Sequence, residues 1–163
     1  MNDILSLLSS LLCCISPVIL IFGIAFWASK SREKKQNTLL ETVPSNADFK
    51  AVLRYNFGKN QSQFFKLKAF QGSGVLYVIA DKIHYVTTNN PDDNFIFDLK
   101  TSEINWIGVN LANGLLEWFQ IRNGGQDYYF NVETGLFIFH TSSSKMKTSQ
   151  VFSYLKEAQK KYQ

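Results

Sequence analysis

Cysteine is confined to one place in this chain. Of 163 residues only two are cysteine, Cys13 and Cys14, and none follows Gln36. No disulfide framework and no cysteine-based zinc site can form in the remainder. Histidine is equally scarce. His84 and His140 are the two in the chain, and neither has a second histidine or a cysteine nearby, which makes a poor transition-metal set. No Gly-x-Ser-x-Gly elbow is present, so hydrolase-type nucleophile chemistry has no sequence marker. The Gly-containing stretches at 72–74 and 124–125 lie between apolar alternating runs. They do not open a helix onto phosphate, as nucleotide loops must. No internal repeat or low-complexity tract is visible. No cofactor is expected.

Charge is missing from one long stretch. Between Asp3 and Lys30 the chain carries none: ILSLLSSLLCCISPVILIFGIAFWAS, 26 residues. A membrane-crossing helix needs about 20. A secretory signal would begin with positive charge and have a shorter apolar core. A lipoprotein signal would place small residues before its cysteine, but Leu11 and Leu12 precede Cys13. The expectation is a retained transmembrane helix over 4–29. Pro17 is tolerable within it, and Trp27 stands where an interfacial aromatic would anchor its end.

Lys30, Arg32, Lys34 and Lys35 follow at once, against the single acid Glu33. Nothing basic precedes the apolar run. The positive-inside rule then places the N-terminus outside and the C-terminal part in the cytoplasm. The cluster reads as a topology signal; contact with anionic lipid headgroups is the sharper alternative. It supplies +3 of the net charge of +4, so the basic balance is local and no nucleic-acid partner is expected.

Residues 30–44 are expected as a basic juxtamembrane linker. Residues 45–58 read as a short amphipathic helix: Ser45 and Asp48 make a capping pattern, with Phe49, Val52 and Leu53 at helical spacing. From 64 to 163 the period becomes two. FFKLKAF, VLYVIA, IHYVTT, FIFDL, EINWIGV, LLEWFQIR, DYYFNVE and LFIFHT are short alternating runs separated by turn residues, the mark of a β-sandwich or barrel. Aromatics make up 15% of the chain and suit such a core. The last segment, VFSYLKEAQKKYQ, puts Val151, Leu155, Ala158 and Tyr162 on one helical stripe that must bury against the sheet. The fold class expected is therefore an N-terminal transmembrane helix plus a mainly-β barrel or sandwich of about seven antiparallel strands with a C-terminal capping helix.

That element order resembles the pleckstrin-homology-like superfold. The stretch Gly74-Val-Leu-Tyr-Val-Ile-Ala-Asp-Lys-Ile-His-Tyr-Val resembles the G-x-L-x-[VL]-T-[DN]-x-x-[IL]-x-[FY] hairpin of GRAM and bacterial pleckstrin-homology-like domains, with Asp81 at the turn. Phe97-Asp-Leu and Ile104 resemble the element that follows it. Ile121-Arg122-Asn-Gly, Tyr129-Phe-Asn, Gly135-Leu-Phe-Ile-Phe-His-Thr, Val151-Phe and Leu155-x-x-Ala resemble the second half of insulin-receptor-substrate-type phosphotyrosine-binding domains. The resemblance covers about 64–160 and implies two packed sheets closed by a helix. Arg122 matches the first phosphotyrosine-binding arginine region. The later Gly-Arg segment has no counterpart, 75–80 holds no Lys or Arg of the phosphoinositide pattern, and Phe152 and Tyr154 stand near the usual helix tryptophan.

Asp81 and His84 could suggest acid–base chemistry, which needs a base oriented by a partner. In a hairpin, Asp81 falls in the turn, where aspartate is favoured, and His84 points away from the face of Ile83 and Tyr85. The reading is structural for both. The residues expected to face a ligand are Lys59, Lys66, Lys68 and Arg122. The function expected is a non-catalytic, membrane-tethered adaptor or scaffold that presents its domain to a protein partner or to the adjacent membrane surface. An enzyme or enzyme subunit with an unrecognised pocket, or a sensor of anionic lipid, is the alternative.

Overall fold

A computed structural model describes the backbone of residues 2–57, 71–88, 90–110, 116–132 and 146–163. Its elements are α1 (Asn2–Glu41), β1 (Phe49–Phe57), β2 (Gly72–Ile79), β3 (Lys82–Thr87), a 3-10 turn at Pro91–Asp93, β4 (Phe95–Asp98), β5 (Glu103–Asn110), β6 (Leu116–Asn123), β7 (Gln126–Asn131) and α2 (Thr148–Tyr162). The alternating runs expected at 64–70 and 136–141 lie outside the described residues.

Among the described residues the strands form one seven-stranded sheet in the order β4-β3-β2-β1-β7-β6-β5, every pairing antiparallel. The order follows from a meander whose first strand pairs with its last. Such a meander is a barrel opened at one junction, here between β4 and β5. It is compatible with a pleckstrin-homology-like sandwich.

The helix expected at 45–58 is instead strand β1. Phe49, Ala51, Leu53 and Tyr55 alternate onto the core side, and that period of two prevails over the helical reading of Phe49, Val52 and Leu53. β1 sits at the centre of the sheet between β2 and β7, paired with β2 over Phe49–Tyr55 and with β7 over Arg54–Phe57. A capping motif worth about 1 kcal/mol cannot compete with that pairing and burial. The linker expected at 30–44 is also corrected: α1 runs unbroken to Glu41 over 40 residues. Its last turns pack on β2 and β1, and Gln36 is buried. Tertiary contact thus keeps helical a polar stretch that would otherwise be marginal. Among the described residues no helix is long and apolar enough to cross a membrane.

The turn between β2 and β3 is two residues long, Ala80 and Asp81, with Ile79 opposite Lys82. Gly74 shows why glycine opens this hairpin. A Cβ there would lie 2.1 Å from the Val86 carbonyl oxygen, so only glycine permits the approach of β3.

One face of the sheet holds the core. Leu53, Tyr55, Leu76, Ile83, Tyr85, Phe97, Phe119, Ile121 and Phe130 meet Val151 and Leu155 of α2. Full burial of each of these two α2 residues contributes about 1.5–3 kcal/mol. Aromatic rings fill much of the volume: Tyr85 lies edge-on to Phe130 at 5.0 Å, and Tyr128 edge-on to Phe95 and Phe97 at 4.7 and 4.8 Å. Helix α2 lands at the opened β4–β5 junction. There the buried Gln159 donates from Nε2 to the carbonyls of Leu99 (2.9 Å) and Ser102 (2.7 Å).

Candidate functional site

Among the described residues, the junction left open by the meander leaves β5 with a free edge. Of these residues β5 pairs only with β6, so none of them covers the other side of its eight-residue backbone. Proteins usually protect such an edge with charge, proline or a bulge. β5 does have a bulge, between Trp106 and Gly108. Even so, Trp106 (39%), Ile107 (43%) and Val109 (56%) are exposed in a row. A cluster of large apolar groups on an unpaired edge is a recognised place for a partner.

Helix α2 forms the wall beside that edge. Phe152 packs on Trp106 with ring centroids 5.3 Å apart and reaches the buried Phe119 at 6.4 Å. Trp106 is therefore held from below by a helix residue tied to the core. A rigid aromatic anchored in this way loses little entropy when a partner covers it. The arrangement offers a backbone template and an apolar shelf. It offers no nucleophile with an adjacent base.

Asp81 and His84 are not brought together. Asp81 Oδ2 pairs with Lys100 Nζ at 3.2 Å, and its carbonyl accepts from Leu99 N at 2.8 Å. His84 stacks on Tyr77 across the hairpin, centroids 4.9 Å apart and nearly parallel. Burial, then the Lys82 charge, pushes the His84 imidazole below the usual histidine range. Lys82 itself is paired with Asp98 at 2.5 Å.

Arg122 lies on the exposed sheet surface, clamped between two carboxylates. Its Nε donates to Asp127 Oδ1 at 2.7 Å and Nη2 to Oδ2 at 3.3 Å, while Glu103 approaches to 3.7 Å. The register explains the clamp: Glu103, Arg122 and Asp127 are cross-strand partners on β5, β6 and β7. The guanidinium hydrogen bond and charge hold the Asp127 carboxyl below the ordinary range. An incoming anion would have to displace that bidentate pair. Lys59, Lys66 and Lys68 lie outside the described residues.

The basic cluster sits on α1. Lys30 pairs with Glu33 at 3.0 Å, Lys34 and Lys35 are exposed, and Arg32 is half-buried one helical turn before the buried Gln36. Of the four basic residues, Lys30, Lys34 and Lys35 therefore point outward and Arg32 inward. On the side of the sheet away from α2, two cross-strand polar rows are buried: Ser73, Arg54 and Asn131 in one, Asn56, Tyr129 and Gln120 in the other. Neither row was expected from the sequence, nor was the exposure of Ile107 and Val109. Alternation alone predicts a solvated polar face for such strands, and nothing in the polar stretch that holds Arg32 and Gln36 marks a helix pressed inward.

Compared with known proteins, the chain matches no family model and no curated sequence.

Proposed function

We propose that this protein is a non-catalytic binding module, tethered to a membrane by its N-terminal helix, which adds an extended segment of a protein partner to the free edge of β5. The observation that carries the reading is the row Trp106, Ile107 and Val109, exposed beside α2 on a strand edge that no other described residue pairs. Strand addition supplies affinity through main-chain hydrogen bonds, and flanking side chains supply selectivity.

Membrane tethering is supported by the 26-residue uncharged run 4–29, which lies within α1, and by the exposure of Ile19, Leu20, Ile21, Phe22, Ile24, Phe26 and Trp27. A row of exposed apolar side chains from Ile19 to Trp27 needs a cover, and lipid is the cover that uncharged length suits. The basic residues after it support a cytoplasmic position for the domain, by the positive-inside rule. The exposed Lys34 and Lys35 then face the headgroups of the adjacent leaflet.

The test is capture by the full-length protein in native membranes, with the bound set identified. Val109→Pro removes an edge donor, and Ile107→Asp places charge on the shelf. Both should abolish capture while leaving the protein folded. Substituting Asp81, His84 and His140 together by alanine should leave capture intact. Capture that survives the edge substitutions, or that is lost with the triple substitution in a folded protein, refutes the reading.

A further inference from the structure

A second concavity lies on the other flank of α2. Tyr154, Glu157, Ala158, Lys161 and Tyr162 form one stripe of the helix, about half a turn away from Phe152. They face Asp48, at the entry to β1, together with Val78 of β2 and Ala80 of the following turn. The groove encloses about 390 Å³, the size class of small-molecule sites.

Its walls have a distinct chemistry. Tyr154 is fixed by stacking on Phe49, centroids 4.0 Å apart and 13° from parallel. Tyr162 supplies a second ring. Among the described residues neither the Asp48 nor the Glu157 carboxylate has a hydrogen-bond or ion-pair partner. With Lys161 the lining carries one net negative charge, in a chain of net +4. Burial first, then the Asp48 charge and Tyr162, pushes the Tyr154 hydroxyl pKa up. The groove already has a cation at its rim: Lys161 Nζ stands 5.7 Å from the centre of the Tyr162 ring. Aromatic faces with unpaired carboxylates are the combination that recognises organic cations.

We propose that this groove binds a guanidinium or alkylammonium group, held between Tyr154 and Tyr162 and neutralised by Asp48 and Glu157. Lys161 is the internal competitor for the Tyr162 face. The site is separate from the β5 edge and stands whether or not that edge binds a partner.

The test is a titration of the full chain in detergent micelles, with alanine methyl groups isotopically labelled so that NMR reads Ala80 and Ala158 in the groove. Agmatine should give saturable shifts at both methyls. A urea analogue of the same length, with a hydroxyl in place of the ammonium so that it is shaped alike but uncharged, should give none. Glu157→Gln should weaken binding about twofold to fivefold, the scale of one exposed charge pair, and adding Asp48→Asn should abolish it. Lys161→Gln should tighten binding about twofold to fivefold by freeing the Tyr162 face. All three positions are exposed or on the rim, so these variants retain the fold. A short arginine peptide at least about tenfold tighter than agmatine, about 1.4 kcal/mol, assigns the cation to a polypeptide; equal affinity assigns it to a free amine. Agmatine shifts that fail to saturate, that the urea analogue reproduces, or that survive the double substitution overturn the proposal.

Discussion

Replacing Gln159 by leucine should destabilise the β domain by about 2–4 kcal/mol, because it strands two buried carbonyls at once. The Gln159 Nε2 group donates to Leu99 O at 2.9 Å and Ser102 O at 2.7 Å, and both of those residues are buried. An orphaned buried acceptor costs about 1–3 kcal/mol. Leucine returns about one methylene of extra apolar burial, ~0.8 kcal/mol, and some relaxation toward water lowers the sum further. The assay is urea unfolding of the full chain in micelles, followed by tryptophan fluorescence, since Trp118 is fully buried. The midpoint should fall with an unchanged slope.

Gln159→Glu sharpens the test. It keeps an acceptor for Lys156 Nζ, now 2.9 Å from Gln159 Oε1, but sets a carboxylate against two carbonyl oxygens. Burial and those oxygens raise the introduced carboxyl's folded pKa above its unfolded value of about 4.3. The folded state then holds a proton that the unfolded state has released, so this variant loses stability as pH rises from about 4 through the folded pKa. A loss below about 0.5 kcal/mol for the leucine variant, or a pH-independent loss for the glutamate variant, would refute the clasp as the element closing the β4–β5 junction.

The remaining predictions concern the hairpin and the charged surface. Gly74→Ala should cost about 1–3 kcal/mol by overpacking, since its Cβ would meet the Val86 carbonyl at 2.1 Å; thermal melting reads this directly. Ala80 stands at φ +51, a conformation costing an L-residue about 1–2 kcal/mol. Ala80→Gly should therefore stabilise the chain by a fraction of that, read as a higher urea midpoint. His84 should titrate below its unfolded value of about 6.5, by NMR, and Lys82→Met should raise it. Because the folded pKa is depressed, the associated stability is present above about pH 6.5 and is lost as pH falls through the folded pKa. Arg122→Gln should let the Asp127 carboxyl rise toward its ordinary range, which carboxylate NMR checks.

Strands β2 to β7 and helix α2 were legible because each signal was local and agreed with its neighbours. Val75, Tyr77 and Ile79 alternate with Leu76 and Val78, Asp81 punctuates the hairpin, and Val151 and Leu155 repeat at helical spacing. Segment 45–58 misled because its two periods conflict: Phe49, Val52 and Leu53 suit a helix, while Phe49, Ala51, Leu53 and Tyr55 suit a strand. Which one wins depends on whether β2 and β7 are there to pair with it. Residues 30–41 were hidden for a similar reason. Their helix draws on packing against β1 and β2, and Gln36 shows no inward preference until that surface exists. The candidate site was half legible. Trp106 could be placed on a strand, but its exposure beside Phe152 needed the position of α2.

The sequence by itself determined the uncharged run at 4–29, the basic residues that follow it, the order of most strands and the amphipathic closing helix. Each rests on charge or periodicity within a few neighbouring residues. Tertiary structure alone decided that β1 is a strand, that Arg54, Asn56 and Asn131 are buried, that Arg122 is clamped between Asp127 and Glu103, and that β5 is left with an open edge among the described residues. Those outcomes depend on which distant segment comes to lie alongside. Pairing between residues dozens of positions apart is a property of the assembled sheet, and no local pattern carries it.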